Sequence, residues 1–531
     1  MSRRTRTAYV LYAVFVAAYF ALFFIDPAFG PIDDHNFTHT VLVGEPMPLE
    51  IIPELGRFFP LDGQEYNLVG LFSTDPFWFY AFNAAQFLVF AIVITRLLHE
   101  SSDKVVLIVG IPMLLFLSPG FVASWFRLLV PERGGVLFFG LFLLLYIRTQ
   151  TNSSRLLPGL TLVFANLALY YKEPGFLLLG AFAGSHLALT WKTSPRRTKI
   201  LDWLLLASCG VFLIVYYVVA FSQGGGDLYT DRYGEVLAFL PRAVFSYTTT
   251  DPAMILGLLP LAVFRTWRVA RRIDKPHPLY DPMILGSVIY VLAYFILEIR
   301  AVYYLLPAYV FALPALVHFA TEYWNKRPTR GLAAVVLAVY VVSALPIGLF
   351  TLTQYKYVPI NFTKTIDFLA TDLEQASPDD PPVVFLEEIN RGSGLENYES
   401  LRRFLEYENA SFDLGSDLPV DNEFLYEEDP SSPYVAYRSR EPASIESGDY
   451  LVVCESCINS VTVNEEYLAG FEDAYELRFA TESPLAIPEY SFRNLAKWVV
   501  SEYLSGANGD QLMDASENLF RGPDYYVFVK R

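Results

Sequence analysis

The chain has 531 residues, of which 53% are apolar, and a formal net charge of −17, with a mean hydropathy of +0.34. This combination excludes a wholly membrane-embedded chain and a wholly solvated one, and it predicts no nucleic-acid partner. The two tendencies occupy different parts: from about residue 353 onward 34 Asp and Glu stand against 13 Lys and Arg, which leaves the front mildly basic.

Apolar stretches of spanning or near-spanning length recur at 8–26, 77–98, 105–122, 134–148, 158–171, 175–191, 202–221, 252–264, 282–298, 302–319 and 331–352. They predict an α-helical polytopic membrane domain of about eleven transmembrane helices over residues 1–352. The stretches 134–148, 158–171 and 252–264 are the shortest against the ~20 residues a perpendicular helix needs. Lys and Arg set the orientation. Arg3, Arg4 and Arg6 precede the first stretch; Lys192, Arg196, Arg197 and Lys199 follow the sixth; Arg265, Arg268, Arg271, Arg272 and Lys275 follow the eighth; Lys326, Arg327 and Arg330 follow the tenth. These loops share one face, so the expected N-terminus is cytoplasmic and the expected C-terminal domain extracytoplasmic, on a multi-pass protein of the cell membrane. The first stretch carries no small-residue cleavage pattern and reads as a retained anchor.

The other face collects the unusual polar residues. A long loop at about 27–76 opens with FGPIDDHNF, which holds Asp33, Asp34, His35 and Asn36, and continues through PELGRFFPLDGQEYN with Arg57, Asp62, Glu65 and Tyr66. Next come SWFRLLVPERGG with Trp125, Arg127, Glu132 and Arg133, and the tight corner YYKEPGF with Lys172 and Glu173. SQGGGDLYTDRYGEVLAFLPRAVFSYTTTDP reads as a lid or an interfacial helix, and LEIRAVYYLLP holds Glu298, Arg300 and Tyr303.

Carboxylates beside a hydrophobic span need a wet cavity or the membrane surface, because an uncompensated charge in hydrocarbon is costly. There they can take a proton from an attacking hydroxyl or hold a divalent cation, while Lys and Arg neutralise a departing phosphate. The bland alternatives are a helix cap and hydrated loop pair for Asp33-Asp34, a surface ion pair for Lys172-Glu173, and an interface-snorkelling residue for Arg300.

The order of these motifs resembles the GT-C superfamily of polytopic glycosyltransferases, near the protein O-mannosyltransferase and aminoarabinose-transferase branch. The resemblance rests on IDDHNF, GRFFPL with DPFWFYAFNAAQFLVF, VPERGG, YYKEPGF and RAVYYLLPAYVFALPAL, over roughly residues 8–350. It implies transfer of a sugar from a polyprenyl-phosphate donor to a protein, glycan or lipid acceptor outside the cytoplasmic membrane, among membrane lipids. Carried residue by residue, Asp33 or Asp34 would be the catalytic base, and Lys172, Arg300 and Arg127 would lie at the donor phosphate. His35, Arg57, Glu132, Glu173 and Tyr303 would support them. His35 departs from the acid or aromatic residue expected after the pair, and beside Asp33 and Asp34 it leaves a divalent metal open as a cofactor.

Residues 353–531 read as a mixed α/β soluble domain, outside the resemblance. PPVVFLEE, DYLVVCES and DYYVFVKR have strand character, while NFTKTIDFLATDLEQ, LENYESLRRFLEYENA and FRNLAKWVVSEYLS have helical spacing. Cys454 and Cys457 in VVCESCIN are expected to form a short-loop disulfide outside the cytoplasm, with a redox pair as the alternative. The rival functions are a transporter or lipid flippase, although no repeat is evident, and a non-catalytic membrane scaffold.

Overall fold

The computed structural model describes residues 3–152, 154–223, 236–297, 301–375, 382–387, 394–409, 434, 436–437, 443–458, 463–496 and 522–531. All eleven predicted apolar stretches coincide with helices. Among the described residues six helices are long and apolar enough to cross a membrane: Arg3–Leu22, Pro76–Ser101, Pro131–Thr151, Arg196–Val219, Ala253–Ala270 and Arg327–Glu374. Val105–Phe116 and Pro119–Phe126 make a seventh if counted as one span bent by 63°. The bend falls at Ser118-Pro119, where the proline ring denies its predecessor the helical region. Leu156–Leu169, Gly175–Thr190, Tyr280–Ile296 and Leu306–Glu322 are apolar but shorter. The stretch expected at 134–148 starts earlier, because Pro131 is suited to a first helical turn.

Much of the apolar surface faces outward. In the hydrophobic windows of Arg3–Leu22 and Arg196–Val219 only 6% and 22% of residues are buried. In water such faces would be unpartnered; lipid is the solvent that satisfies them. Inside the bundle the packing is strongly aromatic, with Phe23 stacked on Phe126 at 4.6 Å and Phe121 on Trp125 at 4.1 Å between ring centres.

A four-stranded mixed sheet carries the C-terminal domain, in the spatial order Val384–Leu386, Tyr450–Cys454, Tyr525–Lys530, Tyr475–Ala480. The first pair is parallel and the other two are antiparallel, with Val452 opposite Val527 and a register shift between Leu477 and Phe479. The strand YLVVC is buried at every position. It is covered on both faces, and its sequence is accordingly an unbroken apolar run instead of an alternation. Cys454 and Cys457 form the disulfide at its end. The strand at 475–480 was not anticipated; four of its six residues are exposed, so its hydrophobic pattern is faint.

The expected boundary at 352/353 falls inside a helix. Arg327–Glu374 continues through it, with π-type turns only at Tyr340–Ala344, and its far end packs on the sheet, where Phe368 stacks on Phe479 at 4.7 Å. Asn361 Nδ2 donates to Ser483 Oγ, Pro523 O and Asp524 Oδ1 at 2.8–2.9 Å. One continuous helix thus belongs to both parts and contacts the sheet at its far end.

Candidate active site

FGPIDDHNFTH leaves the first helix and folds into a tight 3-10 stretch, Ile32–His39. Rings anchor it at both ends: Phe29 and Phe37 lie 5.4 Å apart, and each packs 5.2 Å from Phe79. Gly30 passes so close to the long terminal helix that an added Cβ would stand 3.2 Å from Pro359 Cγ. Its N–H donates to Asp34 Oδ2 at 2.7 Å. Asp34 is therefore turned inward and buried, whereas the Asp33 side chain keeps 37% of its surface. Burial pushes the Asp34 carboxyl up to about 7, against the pull of the Gly30 N–H.

Asp33 Oδ2 accepts from Arg127 Nη2. The Arg127 guanidinium also lies 5.5 Å and 5.6 Å from the ring centres of Tyr303 and Tyr355. Arg133 presents it: fully buried, it donates to Arg127 O at 2.9 Å, Leu128 O at 2.8 Å, Tyr66 Oη at 2.7 Å and Glu65 Oε1 at 3.1 Å. The Arg133 fork holds the carbonyls of the turn, so the neighbouring side chain, Arg127, projects to Asp33. Tyr303 reaches the same place because Gly120 lets its turn approach; a Cβ there would stand at 2.3 Å from Val302 O.

In the YYKE corner, Lys172 Nζ lies 3.3 Å from Glu132 Oε1 and 5.1 Å and 5.3 Å from the rings of Phe59 and Tyr304. Burial pulls the lysine toward neutrality, but Glu132 prevails and holds its proton above the ordinary range. Glu173 Oε1 turns instead to Arg57 Nε at 3.2 Å and Phe58 N at 2.9 Å. Lys172 and Glu173 are thus not the mutual surface pair that their adjacency suggested.

Tyr303 feels both Arg127 and Lys172 electrostatically, Glu50 feels Arg57 and Asp33, and Glu396 of the C-terminal domain feels Asp33 and Arg127. Asp33, Arg127, Lys172, Arg57, Glu132, Glu173 and Tyr303 therefore form one charged cluster, drawn from segments far apart in the chain. Arg300 and Glu298 lie outside the described residues. His35 departs from the expected metal-side role at one atom: its Nδ1 is engaged by Ser400 Oγ at 2.8 Å. Among the described residues no three His, Cys, Asp or Glu side chains converge as a metal site would require.

Tyr355, Glu396 and Ser400 were missed by sequence reasoning, since nothing in TLTQYKYV or LENYES marks them locally. Beside the cluster, a groove of about 490 Å³ is lined by Pro60, Leu61, Leu162, Val163, Asn166, Leu167 and Tyr170, the last of which is two residues from Lys172. Its lining is almost wholly apolar.

No protein-family model matches the sequence, and no curated protein matches it. Solved structures with a similar arrangement include the oligosaccharyltransferase of Archaeoglobus fulgidus in complex with zinc and sulfate, 10% identical over 98% of this chain and 88% of that one, with a TM-score of 0.44. The Archaeoglobus fulgidus oligosaccharyltransferase AglB with an inhibitory peptide and dolichol-phosphate is 11% identical over 77% and 64%, at 0.43. ArnT of Cupriavidus metallidurans bound to undecaprenyl phosphate is 13% identical over 88% and 95%, at 0.42.

Proposed function

We propose that this protein is a membrane glycosyltransferase that moves a sugar from a polyprenyl-phosphate donor to a hydroxyl-bearing acceptor on the extracytoplasmic side. The observation that carries the reading is the pairing of a partly exposed carboxylate, Asp33, with Arg127, beside a second buried cation, Lys172, and Tyr303. The order of motifs in the sequence supports the same reading.

In this reaction the acceptor oxygen attacks the anomeric carbon and the bond from that carbon to the phosphate oxygen breaks. The acceptor proton passes to Asp33, and the lipid phosphate leaves with its charge met by Arg127 and Lys172. Asp33 takes the base role over Asp34 because geometry comes first: Asp33 is accessible and Asp34 is spent on Gly30. An arriving phosphate competes with Asp33 for Arg127. Donor binding then frees the base at the moment it is needed. The apolar groove at Leu61, Leu162 and Tyr170 suits the first isoprene units of the tail. Asp34, His35, Arg57 and Glu173 hold the site's shape.

The test is transfer of radiolabelled sugar in membranes from a panel of polyprenyl-phosphate sugars with a broad acceptor extract. Asp33→Asn is expected to abolish donor-dependent labelling while inserting normally; Asp34→Asn is expected to retain part of it. No labelling by the wild type with any donor would sink the transferase reading and favour a transporter or scaffold.

A further inference from the structure

The helix Gly394–Asn409 of the C-terminal domain lies directly on the 3-10 stretch that carries Asp33 and Asp34. Ser400, fully buried, meets it at two points. Its Oγ accepts the N–H of Ile32 at 2.6 Å and hydrogen-bonds His35 Nδ1 at 2.8 Å. The same hydroxyl donates its single proton to Glu396 O at 2.9 Å.

A hydroxyl has one proton to give, so the proton in the His35 contact must come from Nδ1. With the hydroxyl proton on Glu396 O, the contact requires an N–H at His35 Nδ1. His35 is suited to staying neutral: burial and the neighbouring Arg403 depress its affinity for a second proton. Ile32 has φ +72°, the left-handed region that a β-branched side chain seldom adopts. Such a conformation persists only where the surroundings enforce it. Here the Ser400 contact to its N–H is the enforcement, one residue before Asp33. Further along the same helix Arg403 Nη1 reaches His39 Nδ1 at 3.1 Å, and Phe404 packs on Phe29 at 6.5 Å.

We infer that the C-terminal domain is part of the catalytic apparatus: Ser400 is a positioning residue that clamps Ile32 and His35 and so sets the aim of Asp33. The inference rests on the transferase reading above. It makes domain docking a condition of turnover, since the bundle alone leaves the Ile32 N–H and His35 Nδ1 without this acceptor.

The experiment uses the full chain in membranes or detergent with Ser400→Ala, Ser400→Thr, His35→Ala and His35→Asn. The asparagine amide can place a donor where Nδ1 stood, so His35→Asn retains the clamp that His35→Ala removes. Two readouts are taken: kcat and KM for donor and acceptor, and hydrogen exchange of the peptide spanning 30–40. Ser400→Ala is expected to lower kcat by about tenfold to a hundredfold, the scale of a misaimed group. Both KM values should stay within about twofold, the expectation for a group acting on the chemical step, and the Ile32 amide should exchange faster. Ser400→Thr and His35→Asn should each recover activity relative to the alanine variant. Wild-type kcat in Ser400→Ala, or unchanged exchange at 30–40, overturns the inference. So does equal loss in His35→Asn and His35→Ala. Absence of transfer by the wild type overturns the underlying reading instead, and exchange at 30–40 tells that result apart from failure of the clamp.

Discussion

Lys172 Nζ stands 3.3 Å from Glu132 Oε1, forty residues away, and not against Glu173, its neighbour in the chain. Glu132 is fully buried, and its carboxylate oxygens receive no well-formed hydrogen bond from the protein among the described residues. The contact is therefore a buried charge pair whose carboxylate keeps open hydrogen-bonding capacity.

The first prediction follows from that pair. Removing one partner leaves a buried charge, at about 3–5 kcal/mol, whereas removing both leaves none. Lys172→Met and Glu132→Gln should each lower the unfolding temperature in detergent, and the double variant should be more stable than the sum of the two losses. Additive losses would mean the two charges do not interact. Lys172→Met should lose transfer in either background.

Asp34 supplies a dependence on pH. Its folded pKa is about 7, against an ordinary 3.8. Between those values the folded chain keeps a proton that the unfolded chain has lost. The stabilising contribution is complete below about pH 4 and is lost as pH rises to about 7. Asp34→Asn deletes this term. The stability of the wild type relative to the variant should fall through that window by something on the order of 4 kcal/mol and level off above it. A difference that is flat with pH would show that Asp34 ionises normally.

Arg127 is expected to resist replacement by lysine. Its guanidinium meets Asp33 and lies against Tyr303 and Tyr355 together, a planar arrangement that an ammonium does not reproduce. Arg127→Lys should raise the donor KM by roughly tenfold, about 1.4 kcal/mol of lost phosphate contact, with little change for the acceptor. Equal effects on both substrates would remove Arg127 from the phosphate.

Gly120 is predicted to be intolerant for a reason of space. Its Cβ would collide with Val302 O at 2.3 Å, and backbone cannot swing aside as a side-chain tip can. Gly120→Ala should displace Tyr303 and Tyr304 and reduce transfer by at least tenfold, on the principle that small misplacements at a reacting site are costly. Activity near wild type would show that the Tyr303 turn is not part of the site.

Much of the bundle is legible in the chain. Apolar runs in lipid must form helices, because lipid offers the backbone no partner, and the eleven runs all fall on helices, although only some reach spanning length. The strand YLVVC is legible for a related reason: a wholly buried strand is wholly apolar. The cluster is only half legible. Asp33, Arg127, Lys172 and Glu132 stand out as charges beside apolar helices, where each is costly. Their partners do not stand out, since adjacency paired Lys172 with Glu173 and packing chose Glu132.

The sequence by itself determined which segments form apolar helices and which charged residues lie in the loops between them, since both follow from the local cost of placing each residue in an apolar medium. Only the tertiary structure decided who meets whom: Tyr355 beside Arg127, Ser400 beneath Ile32, and a helix that crosses the expected domain boundary without a break. Those contacts join residues hundreds of positions apart, and their energies depend on burial and approach that no local window contains.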